Sequence, residues 1–189
     1  VIPLSIMSTY SAMLFLVIGS KLEADKTADR GLKFVFPNKS EDDISEIKET
    51  VWKNLGYNFA EFYYLSNLNK NEISKHVKII GMENVTKFTE KDIPILFFGG
   101  HFANWELIPI FFKTHKIKTN LIYRKINNHF LDEFVLNMRS SDYTIMHEKG
   151  LKNASKIVSS IKRGECFASL VDQKLTEGIK IDFFGKKTR

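Results

Sequence analysis

His101 and Glu106 stand in the segment Ile93-Pro-Ile-Leu-Phe-Phe-Gly-Gly-His-Phe-Ala-Asn-Trp-Glu-Leu107. Together they have the makings of a general base. An imidazole held by a carboxylate keeps one tautomer, and its free nitrogen then takes a proton from a substrate hydroxyl. On one continuous helix the two side chains diverge by roughly 140°, because five residues turn about 500°. They converge only if His101 lies in a loop and Glu106 in the first turns of a helix, whose positive end favours a carboxylate. The bare spacing is weak. Five histidines and 22 acidic residues in a chain of 189 produce roughly 0.6 such pairs by chance. A histidine that merely caps the helix is the competing reading.

A strand, a turn and a helix must position this pair. Ile93 to Phe98 is apolar without alternation, as expected of a strand covered on both faces in a parallel sheet. Gly99 and Gly100 permit a sharp turn. Asn104 is the expected N-cap, and Trp105–Thr114 carries apolar residues at helical spacing. The pair then falls at the carboxyl end of a strand, where open α/β sheets bind ligands. Beyond Asn69, strand signals occur at Val77–Ile80, Ile93–Phe98, Asn120–Tyr123, Thr144–Met146, Phe167–Val171 and Ile179–Phe183. They alternate with helical signals at Trp105–Thr114, His129–Ser140 and Leu151–Lys162, which predicts an α/β fold with a mainly parallel sheet flanked by helices.

The clearest helix precedes this region, at Ser40–Leu68. Ser40 and Asp43 approximate a capping box, and Ile44, Ile47, Val51, Leu55 and Phe59 keep a helical stripe. The uncharged stretch Val1–Ser20 sits at the lower length limit for spanning a bilayer. It reads either as an interfacial helix or as one packed on the core. The expected organisation is a helical, membrane-proximal part over residues 1–68 and an α/β catalytic domain over residues 69–189.

Other candidates for chemistry also fall at strand or helix ends. Arg124 follows the strand Asn120–Tyr123, Arg139 ends the next helix, and Lys149 follows the strand Thr144–Met146. Guanidinium matches phosphate as a bidentate donor and ammonium as a point charge, although each of these is as readily a solvated cation. Asp172, with Gln173, closes the strand Phe167–Val171. It either holds loop amides or an arginine, or takes part in the chemistry. Asn104, besides capping, joins Arg124, Arg139, Lys149 and Asp172 as a candidate substrate contact.

Composition narrows the function. With 43% hydrophobic residues and 16 Phe, the chain is not disordered and suits one sizeable core. The net charge of +6 is spread out, with no run of five basic residues and no aromatic interleaving. That argues against nucleic acid and fits phosphorylated lipid, an anionic leaflet or an acidic carrier protein. The single Cys166 reads as a small core residue and forms no internal disulfide. A Gly-x-Ser-x-Gly elbow and Walker spacing are missing, and His76, His115, His129 and His147 lack metal-ligand spacing. No metal or cofactor is expected.

Gly99-Gly-His-Phe-Ala-Asn-Trp-Glu-Leu107 resembles the His-x4-Asp/Glu block of the lipid A biosynthesis acyltransferases, in the lysophospholipid acyltransferase-like superfamily. Four further stretches match in order. They are Arg30-Gly-Leu-Lys-Phe-Val-Phe-Pro37 (with Gly31 where Asn is usual); Gly56-Tyr-Asn-Phe-Ala-Glu61; Tyr123-Arg124 through Leu131-Asp132 to Arg139; and the later blocks Gly164-Glu165, Asp172-Gln173 and Phe183-Phe-Gly185. The resemblance runs from about Leu4 to the end. It implies an acyltransferase-like fold truncated at both ends, with a membrane-anchoring helix before Val1 and the rest of the catalytic domain after Arg189. It implies a role in lipopolysaccharide biosynthesis at the cytoplasmic face of the bacterial inner membrane. The implied donor is acyl-acyl carrier protein and the acceptor a phosphorylated glucosamine disaccharide lipid. His101 would deprotonate the acceptor hydroxyl, with Glu106 orienting the ring. Acylation of another glycolipid or phospholipid, and non-catalytic lipid binding on the same fold, are the alternatives.

Overall fold

A computed structural model describes residues 2–173, 179–183 and 185–188. These cluster into two compact units, residues 1–78 with 106–110, and residues 79–105 with 111–189. Val1, Phe184 and Arg189, named above, lie outside the described residues.

The first unit is helical. It contains α1 (Leu4–Gly19), α2 (Glu23–Val35), α3 (Glu41–Ser66) and the short α4 (Lys70–Ile73). The capping box at the start of α3 is complete: the Ser40 side chain accepts from the Asp43 amide, and the Asp43 carboxylate accepts from the Ser40 amide. Glu41, Asp42 and Asp43 further stabilise the positive end of that helix. Its buried ridge, however, is Ile44, Trp52, Gly56 and Ala60, while Val51 is exposed.

The packing of α1 against α3 explains the shift. At Gly56 a Cβ would come within 2.6 Å of Ala12 Cα, and the Ser11 hydroxyl donates to the Gly56 carbonyl at 2.8 Å. Gly19 leaves room for the Trp52 indole, and the Phe15 and Phe59 rings lie 5.6 Å apart. Two antiparallel helices that approach this closely select small residues along one row. Trp52 Nε1–H donates to Asp25 Oδ1 at 2.8 Å, and Lys48 pairs with Asp25 at 2.8 Å, which ties α2 to α3.

No single helix among the described residues is long and apolar enough to cross a membrane, and α1 meets α2 at an 89° bend. The side of α1 turned away from α3 exposes Ile6, Tyr10, Met13, Leu14, Val17 and Ile18.

The second unit contains α5 (Glu83–Thr89), β1 (Leu96–Gly99), β2 (Thr119–Tyr123), α7 (His129–Arg139), β3 (Thr144–Glu148), α8 (Leu151–Lys162) and β4 (Cys166–Leu170), with the end of α6 (Leu107–His115). The four strands form a parallel sheet in the order β1-β4-β2-β3. A two-stranded antiparallel ribbon follows, β5 (Ile181–Phe183) and β6 (Lys186–Thr188).

Several expected elements are corrected. Val77–Ile80 is not a strand; this short run leads into Gly81, at φ +82°. The Ile179–Phe183 signal becomes β5, which pairs with β6 and stays outside the parallel sheet. Helix α6 begins at Leu107 rather than Trp105, after a loop in which Ala103 adopts φ +45°.

The double coverage expected of Ile93–Phe98 is also corrected. Strand β1 lies at an edge of the sheet. Phe97 packs edge-on against Phe112, ring centroids 5.0 Å apart, whereas Leu96 is 50% and Phe98 66% exposed on the other face. Register pairs Leu96 and Asn120 with Phe167, and Asn120 with Ile145, so these four residues share that face. The β3–α8–β4 crossover runs back across the sheet, opposite to β1–α6–β2 and β2–α7–β3. Right-handed connections therefore place α8 on the face shared by Asn120 and Ile145.

Candidate active site

Strands β1 and β4 are neighbours, with Gly99 opposite Leu170, so their carboxyl ends release the chain side by side. His101 emerges from one and Asp172 from the other. The Asp172 carboxylate grips His101 twice: Oδ2 accepts from the backbone amide at 2.7 Å and Oδ1 from the ring Nδ1–H at 2.7 Å. Gly100 permits this approach, since a Cβ there would lie 3.1 Å from Asp172 Oδ2 and would run into the Phe102 ring. The Trp105 ring stands edge-on to the imidazole at 5.2 Å between centroids.

Electrostatics fixes the proton arrangement. Partial burial by itself would raise the Asp172 carboxyl, but the amide and ring N–H of His101 outweigh it and hold the group below the ordinary carboxylate value. An ionised carboxylate only accepts, so Nδ1 carries the hydrogen and Nε2 the lone pair. The Gln173 side-chain Nε2 lies 3.2 Å from that lone pair. The pair stays reachable, with 28% of the His101 and 33% of the Asp172 side chain exposed.

Of the other candidates, Arg124 and Lys149 follow the carboxyl ends of β2 and β3. Asn104 is half-buried in the loop after His101, and Glu106 occupies the turn just before α6 and clusters with the first unit. Arg124 follows β2 and is exposed. Lys149 follows β3, its amide donating to the Tyr123 carbonyl at 2.8 Å. Among the described residues neither the Arg124 nor the Lys149 side chain has a hydrogen bond or ion pair. Arg139 is the last residue of α7 and half-buried. Its carbonyl accepts from Thr144 Oγ1 at 2.6 Å. Buried Asp132 accepts from the Ile126 amide at 2.8 Å and so fixes the loop beyond Arg124.

The ring N–H of His101 is a single donor, and Asp172 takes it. The carboxylate at Nδ1 lies 71 residues from the histidine. In the sequence Gln173 stands out only as the neighbour of Asp172, directly after a strand-ending acid. Among the described residues no group of three His, Cys, Asp or Glu could hold a metal ion. An imidazole backed by a carboxylate in this way has the chemistry to take up a proton at its other nitrogen.

No individual curated protein matches the chain. The profile of the bacterial lipid A biosynthesis acyltransferases matches residues 1–189, and the chain belongs to that acyltransferase family.

Proposed function

We propose that this acyltransferase moves a fatty acyl chain from the thioester of acyl-acyl carrier protein to a hydroxyl of a lipid A precursor. His101 Nε2 takes the proton of the acceptor hydroxyl as its oxygen attacks the thioester carbonyl. The tetrahedral intermediate collapses, the C–S bond breaks, and the imidazolium returns the proton to the departing thiolate. The products are an ester and a free thiol, with no covalent enzyme intermediate. Asp172 holds the productive tautomer throughout. Glu106 is assigned as the second carboxylate that stabilises the transient positive charge, on the strength of its place in the family-like block. The Gln173 amide marks where the acceptor oxygen would sit, and it must give way to that oxygen.

The observation that carries this reading is the double hold of Asp172 on His101, 2.7 Å at both the amide and Nδ1, which supports Nε2 in the role of base. Arg124 and Lys149, cations at the carboxyl edge without a side-chain partner among the described residues, suit the phosphates of the acceptor. Asn104 and Arg139 are assigned to the same acceptor. The exposed apolar stripe of α1 suits contact with the cytoplasmic face of the inner membrane, where such an acceptor is embedded.

The test is transfer from acyl-acyl carrier protein to a phosphorylated glucosamine disaccharide lipid, with mass spectrometry of the lipid product. His101→Ala is expected to lower turnover by at least about a hundredfold while the fold persists. Wild-type turnover in that variant removes the mechanism, and lipid binding without any transfer by the unaltered protein removes the function.

A further inference from the structure

Beneath α8, lined by the sheet face that carries Asn120 and Ile145, lies a cavity of about 340 Å³. All of its lining belongs to the second unit. It sits away from His101. Asn120 and Glu165 mark the amino ends of β2 and β4, whereas His101 and Asp172 follow the carboxyl ends of β1 and β4.

Its floor has a fixed hydrogen-bond polarity. Asn120 is 1% exposed, and its Nδ2 donates to Glu165 Oε2 at 3.0 Å and to the Cys166 carbonyl at 3.2 Å. Its Oδ1 must therefore accept, and His147 Nε2, 2.7 Å away, must carry a proton. Burial, reinforced by Lys156 and partly opposed by Glu165, disfavours the imidazolium of His147. The ring is then neutral, with its lone pair on Nδ1. That atom has no partner among the described residues, yet no buried side-chain nitrogen or oxygen there lacks one. Nδ1 is accordingly not sealed from solvent, and His147 lines the cavity.

Glu165 is already engaged. Oε2 takes Asn120 and Oε1 takes Lys118 at 3.3 Å. The helix side adds the hydroxyls of Ser155 and Ser159 and the ammonium of Lys156, none with a hydrogen bond or ion pair among the described residues. Arg163, beside them, is steadied by the Ser160 hydroxyl at 2.9 Å. Arg163 also pairs with Glu165 Oε1 at 3.5 Å, so among the described residues Lys156 is the lining's unengaged cation, beside free hydroxyls and one strong, fixed acceptor.

We infer that this cavity is a second binding site for a small hydroxylated anion of the sugar-phosphate type. Its anionic group lies against Lys156 and the α8 serines, and one of its hydroxyls donates to His147 Nδ1. The volume suits a ligand of that size. An apolar ligand would strand the polar floor, and an anion without a hydroxyl would leave Nδ1 to water.

The test titrates the full chain with glucose 6-phosphate and follows the histidine ring protons by NMR. Saturable displacement of the His147 resonance is expected. Methyl phosphate, which has no hydroxyl, should bind more weakly and move that resonance little. Lys156→Ala, on an exposed helix position, should weaken glucose 6-phosphate binding about tenfold by removing a charged hydrogen bond. Ser159→Ala should weaken it less, and His101→Ala should leave it unchanged. The inference is overturned by no saturable binding, by a response confined to His101, or by Lys156→Ala binding as tightly as the parent.

Discussion

Replacing Asp172 with asparagine is the sharpest probe of the proposed role of the His101–Asp172 pair. The two side chains have nearly the same shape, but the carboxylate accepts from both N–H groups of His101, each at 2.7 Å, and the amide accepts only one. If the asparagine oxygen keeps the backbone amide, its NH2 faces Nδ1. That stabilises the wrong tautomer, with the hydrogen on Nε2 and no lone pair for the acceptor. If it keeps the ring, the backbone amide of His101 loses its partner, at about 1–3 kcal/mol. In either case the charge-assisted bond to the imidazolium, about 1.5–3 kcal/mol, is gone. The sum is about 2.5–6 kcal/mol. Because a third of the Asp172 side chain is exposed, water offsets part of it, so the lower range applies. The expected loss in kcat is about a hundred- to a thousandfold, with the KM for acceptor little changed. The assay is initial-rate acyl transfer at saturating donor, set beside a melting curve. Asp172→Asn should do no better than Asp172→Ala, which leaves water free to occupy the site. An asparagine variant with more than half of parental kcat would refute the tautomer argument. So would one whose lost rate is matched by lost folded protein.

Gly56→Ala drives a methyl into the Ala12 backbone and should cost about 1–3 kcal/mol, read as a lowered Tm. Trp52→Phe removes the indole donor to Asp25 and should cost about 1–2 kcal/mol in a denaturant melt. Glu165, held first by Asn120 and then by Lys118 and Arg163, has its carboxyl lowered to about 2. A depressed carboxyl stabilises the fold above its ordinary value and loses that contribution as pH falls toward 2. Glu165→Gln should therefore cost about 2–3 kcal/mol at neutral pH, and its deficit against the parent should shrink below about pH 4.5 in pH-resolved melts. Arg124→Ala should leave Tm unchanged while acceptor efficiency falls about ten- to a hundredfold, with partial rescue by Arg124→Lys. An acceptor dependence like that of the parent would remove Arg124 from the site.

Local features of the chain were legible where the signal was itself local. Helix α8 runs over the predicted residues, and the Ser40–Asp43 box starts α3 where polar spacing indicated. Strands β2, β3 and β4 fall on their apolar runs because turn residues bound each one. Other features depend on what lies next to an element, which one segment cannot reveal. The run Ile93–Phe98 reads as fully covered, yet its strand ended at a sheet edge with Leu96 and Phe98 open. The buried ridge of α3 follows Trp52, Gly56 and Ala60 because α1 packs there, and spacing within α3 could not choose between that row and Val51. The partner of His101 was the least legible. Glu106 lay five residues away and Asp172 lay 71, and only the order β1-β4-β2-β3 makes the distant acid the neighbour.

That strand order also sets when the His101–Asp172 pair can exist. The last strand of the parallel sheet inserts between the first two, so β1 and β2 have no direct hydrogen-bonded contact without it. During synthesis the sheet stays open until the chain has passed Leu170, and His101 waits for Asp172. The pairing of α1 with α3 spans far fewer residues and imposes a smaller loop-closure cost, whereas distant parallel pairing is slow. In refolding from denaturant, helical signal should recover first and acyl transfer last. In the interval the chain holds its full helix content with an unassembled base and two apolar strands still seeking their partner, the window in which a chaperone or a neighbouring chain competes with β4.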